Sequence, residues 1–145
     1  MAARKPPMMI LRNFPLLFLP LVIYNVLAYG TGGGTGVDWQ APAYSFDMLS
    51  GATFDLTLGG LLILFALVLL FIEILKATRT AKATIIDHLA STLVFLVYLV
   101  QFLVDPTAAS TTYVILAAIA FLDVVAGYSV SIRVASRDVT FDRQL

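Results

Sequence analysis

Residues 61–70 read LLILFALVLL, the most apolar stretch of the chain and the one that decides its fold class. The longer segment around it, 56–76, contains only Glu73 and Lys76 as charged residues, and both lie near its end. A helix needs about 20 largely apolar residues to cross the roughly 30 Å hydrocarbon core of a bilayer, because it rises about 1.5 Å per residue. Residues 56–76 are therefore predicted to form a transmembrane helix.

The rest of the chain has the same character. Of its 145 residues, 60% are hydrophobic and 12% are charged, whereas a soluble domain has about 45–50% apolar and about 25% charged residues. Three more apolar segments, 8–29, 85–104 and 112–133, are predicted to be membrane helices. The predicted fold is therefore all-α: a single domain, 1–145, that forms a multi-pass transmembrane bundle of four helices.

The first and second predicted helices are joined by the only long connection, residues 30–55. It contains Trp39, Tyr44 and Phe46, and aromatic rings of this kind favour the membrane–water interface. The loop has room for a short interfacial helix at 43–50. We expect the three aromatic residues to form a contact surface on the outer side of the membrane.

The basic residues lie on alternate connections, which predicts the orientation. Arginine and lysine total nine, and the loops 30–55 and 105–111 contain none. By the positive-inside rule, the N-terminus, the turn 77–84 and the tail 134–145 are predicted to be cytoplasmic. The chain broadly resembles small bacterial inner-membrane proteins, and this resemblance implies the inner membrane of a bacterium. The basic residues expected to face lipid headgroups there are Lys76, Arg79, Lys82, Arg133 and Arg137.

Asp123 is an acidic residue near the midpoint of the fourth predicted helix. A charged carboxylate at the bilayer centre costs at least about 2.5–3.5 kcal/mol, so this side chain is expected to face protein or water, or to be protonated. Ala120 and Gly127 lie on the same helical face, and small residues allow neighbouring helices to approach closely. Two interpretations remain: a proton or cation site, or a buried carboxyl group hydrogen-bonded to a neighbouring helix.

The third predicted helix carries polar residues on one face, among them Ser91, Tyr98 and Gln101 at helical spacing. Tyr98 is predicted to reach Asp123 if the third and fourth helices pack together. The stripe fits a polar path through the membrane, and it also fits a bundle that simply turns its polar face inward.

Two further ionisable side chains are predicted to lie at the cytoplasmic surface. His88 is expected to face water at the start of the third helix. Glu73 lies one turn before Lys76, and we expect the two to form an interfacial salt bridge of small energetic value.

No catalytic residue, metal site or cofactor is predicted. The chain has no cysteine and one histidine, so thiolate ligands are excluded and the histidine has no second ligand at suitable spacing. The formal net charge is zero, which gives no reason to expect nucleic-acid binding.

Two functions remain for a small membrane protein of this kind. The first is a non-catalytic subunit, assembly factor or scaffold of a larger membrane complex, whose partners are lipids and other integral membrane proteins or copies of itself. The second is a small oligomeric transporter or channel in which Asp123 is a proton or cation site.

Overall fold

A computed structural model of the protein describes residues 14–30, 36–78 and 81–142, with 81–87, 131 and 134–142 described by their backbone alone. Within these ranges the chain is mostly helical, with four α-helices, a two-stranded antiparallel hairpin and one short 3₁₀ turn. The elements are α1 (Phe18–Gly30), β1 (Pro42–Asp47), β2 (Thr53–Thr57), α2 (Leu58–Ala77), α3 (Ala81–Val104), the 3₁₀ turn (Pro106–Ala108) and α4 (Thr111–Asp142).

Helix α1 begins later than the apolar pattern predicts. Residues 8–13 of the predicted helix lie outside the described ranges, and 14–17 form turns instead of helix. The amides of Phe18 and Leu19 bond to carbonyls three residues back, at 3.1 and 3.0 Å. Pro20 is the third helical residue, a position whose N–H has no intrahelical partner, so the proline costs no hydrogen bond there. The start at Phe18 thus accommodates a proline that would break the helix further along.

The prediction of an interfacial helix at 43–50 is wrong. This segment forms most of strand β1 and the start of the turn of a β-hairpin. Tyr44 and Phe46 alternate with Ser45 and Asp47, and this period of two is typical of a strand. The turn is closed by a hydrogen bond from Met48 N to Ala52 O at 2.8 Å, and it contains a glycine in the left-handed region, Gly51 with φ +81°. A three-residue hairpin loop commonly needs such a glycine. The fold is therefore mostly helical and not all-α.

The helices pack through stripes of buried residues that recur at intervals of three and four. On α2 the stripe consists of Gly59, Leu62, Ala66, Leu69 and Glu73. The corresponding stripes of α3 and α4 include Tyr98 and Leu116, and α4 packs against both α2 and α3. This spacing places each stripe on one helical face, so the remaining faces leave many large apolar side chains exposed.

Contacts at the helix ends show that the four helices run in alternating directions. At one end, the Lys76 ammonium on α2 bonds to the Phe14 carbonyl just before α1, and a cleft joins the end of α2 to the first half of α3. At the other end, Tyr24 on α1 bonds to the Thr107 carbonyl between α3 and α4. Lys76 and Arg133 mark the basic end of the bundle, and the hairpin lies at the opposite end.

Among the residues that the structure describes, two helical segments are long and apolar enough to cross a membrane, α2 and the Thr111–Val130 part of α4. The other apolar helical segments, Phe18–Gly30 and His88–Val104, are shorter, about 20 and about 26 Å long. Length and composition therefore give weak support for membrane association. The predicted four-pass bundle is not confirmed.

Gly59 marks the tightest approach of α2 to its neighbours, which gives a first prediction. A Cβ atom at this position would lie 2.3 Å from the Thr112 hydroxyl oxygen and 2.9 Å from the Trp39 carbonyl oxygen. We expect Gly59→Ala to lower the free energy of unfolding by about 1–3 kcal/mol, because Thr112 and the Trp39 carbonyl must move away from the added methyl group. Thermal or denaturant unfolding in detergent micelles measures this.

Gly60→Ala is the matched control in the same helical turn. Its Cβ atom would meet only the ends of side chains, the Thr57 hydroxyl at 3.1 Å and a Leu56 methyl at 3.4 Å. Because alanine also favours the helix by up to about 1 kcal/mol over glycine, the control should be neutral or stabilising. Equal destabilisation by the two substitutions would contradict the close approach at Gly59.

Candidate functional site

The most concentrated set of ionisable side chains lies in a cleft at the basic end of the bundle, which we call the polar cleft. Glu73, His88 and Asp123 contribute to it from three different helices, and Ser91 lines it as well. All four side chains are buried. The remaining lining residues are Ile74, Lys76, Ala77 and Gly127. The cavity has a volume of about 10 Å³, which is close to what one water molecule needs.

Glu73 joins the start of α1 to the end of α2. One carboxylate oxygen accepts a hydrogen bond from the main-chain amide of Leu16, and the other pairs with the Lys76 ammonium at 2.9 Å. The same ammonium donates to the Phe14 carbonyl at 3.1 Å. The predicted Glu73–Lys76 salt bridge is confirmed, but its carboxylate is buried and holds the chain at the entrance to α1.

His88 is buried against α4, which corrects the expectation that it faces water. A Cβ atom at Gly127 would lie 2.4 Å from both Cε1 and Nδ1 of the imidazole, so only glycine leaves room for the ring there. The ring also contacts Tyr128, with the ring centroids 5.5 Å apart. The glycine one turn after Asp123 thus places the histidine in the polar cleft.

Asp123 lies on α4, about 18 Å along the helix from its first residue, Thr111. Its depth within a membrane stays a prediction. Its neighbours in the cleft lie near the end of α2 and in the first half of α3. The cleft thus brings three ionisable side chains together at the basic end of the bundle.

The opposite half of the bundle contains a second polar centre, built around the Gln101 amide. Its oxygen accepts from Asn25 at 3.1 Å and from the Tyr113 hydroxyl at 3.0 Å. Its nitrogen donates to the Asn25 side-chain oxygen and, at 3.0 Å, to the Asp105 carboxylate. An amide has four hydrogen-bonding positions, and all four are used here. Gln101 therefore links α1, α3 and α4.

Asp105 follows α3 and anchors the same network at the end of the bundle that carries the hairpin, which we call the outer end. Its carboxylate accepts from the Tyr29 hydroxyl, from Gln101, and from the Thr107 hydroxyl and main-chain amide at 2.8 and 2.9 Å. The Tyr29 hydrogen bond, with the help of Gln101 and Thr107, holds the pKa of Asp105 well below its usual range, although partial desolvation acts in the opposite direction. The carboxylate is thus charged at neutral pH.

Aromatic rings fill the space between this network and the hairpin. Trp39 stacks on Tyr24, with ring centroids 4.3 Å apart and planes at 9°. The Tyr24 hydroxyl bonds to the Thr107 carbonyl and the Ser110 hydroxyl, both at 2.8 Å. The described part of the outer half is therefore packed with bonded side chains.

The structure separates the residues that the sequence predicts as one intramembrane site. Ser91 and Asp123 line the polar cleft, whereas Gln101 belongs to the outer network. Tyr98 donates its hydroxyl proton to the Leu17 carbonyl at 3.2 Å, and its own carbonyl accepts from Tyr113. The Tyr98 hydroxyl, which the sequence predicts to bond to Asp123, thus bonds to the main chain just before α1.

The aromatic and basic residues that are predicted to lie at the surface differ in their exposure. Trp39 is buried, which corrects its predicted role as an outer contact, whereas Tyr44 and Phe46 are exposed on the hairpin. Among the basic residues, Lys76 is half-buried in its salt bridge and Arg133 is exposed. Arg79 and the side chains of Lys82 and Arg137 lie outside the described residues.

Sequence reasoning misses the grouping of Glu73 and His88 with Asp123, although a signal exists for the glutamate. Glu73 follows Leu62, Ala66 and Leu69 at intervals of four, three and four, so it lies on the buried stripe of α2. An acid in that register points into the bundle and not to the surface.

The chain matches no protein-family model, no curated protein and no solved structure. Its function must therefore be argued from its geometry. Among the described residues, no group of three or more His, Asp or Glu side chains could hold a metal ion. A cleft with space for about one water molecule can accommodate a proton carrier, but it has no room for an organic substrate.

The Asp105 network gives a prediction with a defined pH dependence. Asp105→Asn places an amide where two hydrogen-bond donors, Tyr29 and Gln101, now meet a carboxylate, so the Tm at pH 7 should fall. The folded-state pKa is below the unfolded value of about 3.9, so the carboxylate's stabilisation is complete above that value and is lost as pH falls below it. The difference in Tm between wild type and variant should therefore shrink between pH 5 and pH 3, in the range about the unfolded pKa.

Thermal unfolding in detergent micelles across this pH range measures the effect. Asp47→Asn is the control, because its exposed side chain accepts one hydrogen bond from Thr53 that an asparagine oxygen can also accept. A Tm difference for Asp105→Asn that is as large at pH 3 as at pH 7 would show that the charge is not responsible.

Proposed function

We propose that this protein is a non-catalytic subunit, assembly factor or scaffold of a larger complex in the cytoplasmic (inner) membrane of a bacterium. In this proposal the chain crosses the membrane four times with both termini in the cytoplasm, and it binds other integral membrane proteins. The nine basic residues on alternate segments support the orientation. The two candidate spans and the alternating helix directions support the membrane placement.

The observation that carries the proposal is an apolar groove along α3 with a volume of about 480 Å³. Four of its five apolar lining residues follow one another at intervals of four, three and four: Leu93, Val97, Val100 and Val104. This is the spacing at which one helix packs side chains between those of another. Valine has few rotamers to lose on packing, so contact with a partner helix costs little side-chain entropy.

The polar groups beside the groove are already bonded within the chain. Gln101 uses all four positions of its amide, and the Asp105 carboxylate has several donors. A partner helix could therefore cover the groove without having to satisfy a buried polar atom. In a membrane, where lipid is as apolar as leucine, such close packing is what distinguishes a partner helix from lipid.

The groove proposal predicts that filling it will release a partner. We expect Val100→Trp to weaken co-recovery of partner subunits about tenfold, since overpacking costs about 1–3 kcal/mol and 1.4 kcal/mol corresponds to tenfold. Tagged protein is extracted gently from its native membrane, and recovered subunits are identified and quantified by mass spectrometry.

Val68→Trp is the matched control, because Val68 on α2 is as exposed as Val100, at 58% against 55%. The control should keep the same subunits at the same stoichiometry. Recovery of the wild-type protein alone, or equal loss in the two variants, would contradict a partner at the α3 groove.

A second candidate function is supported by the polar cleft. Three buried ionisable side chains, Glu73, His88 and Asp123, meet around space for about one water molecule. That arrangement fits a proton site of a small oligomeric transporter or channel. In the described part of the outer half, the aromatic rings are packed together and the Gln101 amide is saturated, so these side chains do not extend such a path.

Asp123→Asn distinguishes the two functions. Purified wild type and variant are reconstituted in vesicles, and proton flux under an imposed potential is followed with a pH-sensitive dye. A subunit or scaffold should give no flux above protein-free vesicles with either form, whereas a transporter should give flux that the substitution removes. Asp47→Asn, on the exposed hairpin, is the control and should behave as wild type in both cases.

A further inference from the structure

The hairpin formed by β1 and β2 has two chemically different faces. Across the strands, Phe46 pairs with Phe54 and Tyr44 pairs with Leu56, so apolar side chains share one face. The alternate pairs are Ser45 with Asp55 and Asp47 with Thr53, and each of these is joined by a side-chain hydrogen bond. The hairpin is therefore aromatic on one face and acidic on the other.

Neither face is covered by the described part of the chain. The exposed fractions are 64% for Tyr44, 48% for Phe46 and 44% for Phe54, and the tip residue Leu49 is fully exposed. The rings contact one another, with centroids 6.1 Å apart for Tyr44 and Phe46 and 5.2 Å apart for Phe46 and Phe54. The three rings form a continuous aromatic strip along one face of the hairpin.

The hairpin is attached directly to a candidate membrane span. Strand β2 ends at Thr57 and α2 begins at Leu58, with no linker between them. The start of α2 is also tied to the segment before the hairpin, because Leu58 N donates to Ala41 O at 3.0 Å and Gly59 N donates to Trp39 O at 2.9 Å. The base of the hairpin thus lies where α2 would leave the hydrocarbon.

Dimensions and charge favour a hairpin that lies along the membrane. Strands of this length extend about 17–20 Å, whereas the headgroup layer on each side of a bilayer is only about 5–8 Å thick. An upright hairpin would carry its rings into water, while a reclining one keeps them at the interface that aromatic side chains prefer. Residues 36–57 contain no lysine or arginine, so the hairpin has no basic side chain to attract anionic headgroups. Its apolar side chains would therefore provide the binding to lipid.

We propose that the hairpin lies on the outer membrane surface, with Tyr44, Phe46 and Phe54 in the lipid interface and Asp47 and Asp55 in water. The partner of this surface is the lipid itself, including zwitterionic lipid. The inference rests on the proposed membrane placement of the chain. In this arrangement the hairpin fixes the depth of α2 in the bilayer, because no flexible residues separate the two.

The absence of cysteine from the sequence makes this directly testable. Single-cysteine variants Phe46→Cys and Ser45→Cys place an environment-sensitive fluorophore on adjacent residues of opposite faces. Each variant is reconstituted in phosphatidylcholine vesicles and quenched separately by aqueous iodide and by a lipid with a nitroxide near the headgroup. The pair Phe54→Cys and Thr53→Cys on β2 repeats the test where a β1 variant does not fold.

We expect the nitroxide lipid to quench the Phe46 site at least twofold more than the Ser45 site, and iodide to show the reverse order. Iodide quenching of both sites alike would overturn the proposal, because the hairpin would then stand in water. Protection of the Phe46 site from both quenchers would also overturn it, because protein would then cover the aromatic face.

A probe at Val68→Cys tests the membrane placement independently. Val68 is exposed in the middle of α2, so a nitroxide deep in the acyl chains should quench a fluorophore there. Failure at Val68 would reject the membrane placement itself. Quenching at Val68 without lipid contact at Phe46 would reject only the proposed position of the hairpin.

Discussion

Polar side chains on apolar helices must find their hydrogen-bond partners within the bundle, and much of this structure follows from that constraint. An unpaired polar group in an apolar environment costs several kcal/mol, and lipid supplies no substitute for water. The chain meets the requirement at two centres. At the basic end, the Glu73 carboxylate bonds to the Leu16 amide and the Lys76 ammonium. At the other end, the Gln101 amide joins Asn25, Tyr113 and Asp105.

These two polar centres attach α1 to the other helices of the bundle. Helix α1 is short, and Pro20 lies in its first turn. Its own main-chain hydrogen bonds do not attach it to the other helices. Glu73 bonds to the main chain just before α1, and Gln101 bonds to the side chain of Asn25 in the second half of α1, so the helix is held at two separate points. The central helix α4 then packs against α2 and α3 through small and apolar residues such as Ala120 and Leu116. What remains on the outside is largely apolar, as expected for a chain that meets lipid and other membrane helices.

The same distribution of polar groups bears on function. Where the polar groups are saturated, as around Gln101, the neighbouring surface of α3 is free to contact a partner through apolar atoms alone. Three ionisable groups converge at the polar cleft, on which the second candidate function rests. The groove and the cleft are lined by different residues, so the two candidate roles can be separated by substitution.

Helix positions were predictable from the sequence because apolar runs are local. The predicted segments 56–76, 85–104 and 112–133 correspond to α2, α3 and α4, although α4 continues to Asp142. The composition of 43–50 suits an interfacial helix as well as a strand, and only the period of two of its apolar residues indicates the hairpin. The buried positions of Trp39 and His88 depend on Tyr24 and Gly127, residues far away in sequence, and local patterns do not report such pairs.

The sequence by itself determined the apolar helices, the placement of the basic residues on alternate connections and the absence of cysteine, since each follows from composition or local spacing. Only the tertiary structure decided which polar residues meet. It split one predicted polar stripe between two centres, and it brought Glu73, His88 and Asp123 together from three helices. The physical reason is that the rotation of one helix against another is set by close packing at positions such as Gly59 and Gly127. That packing depends on both partners at once and cannot be read from either segment alone.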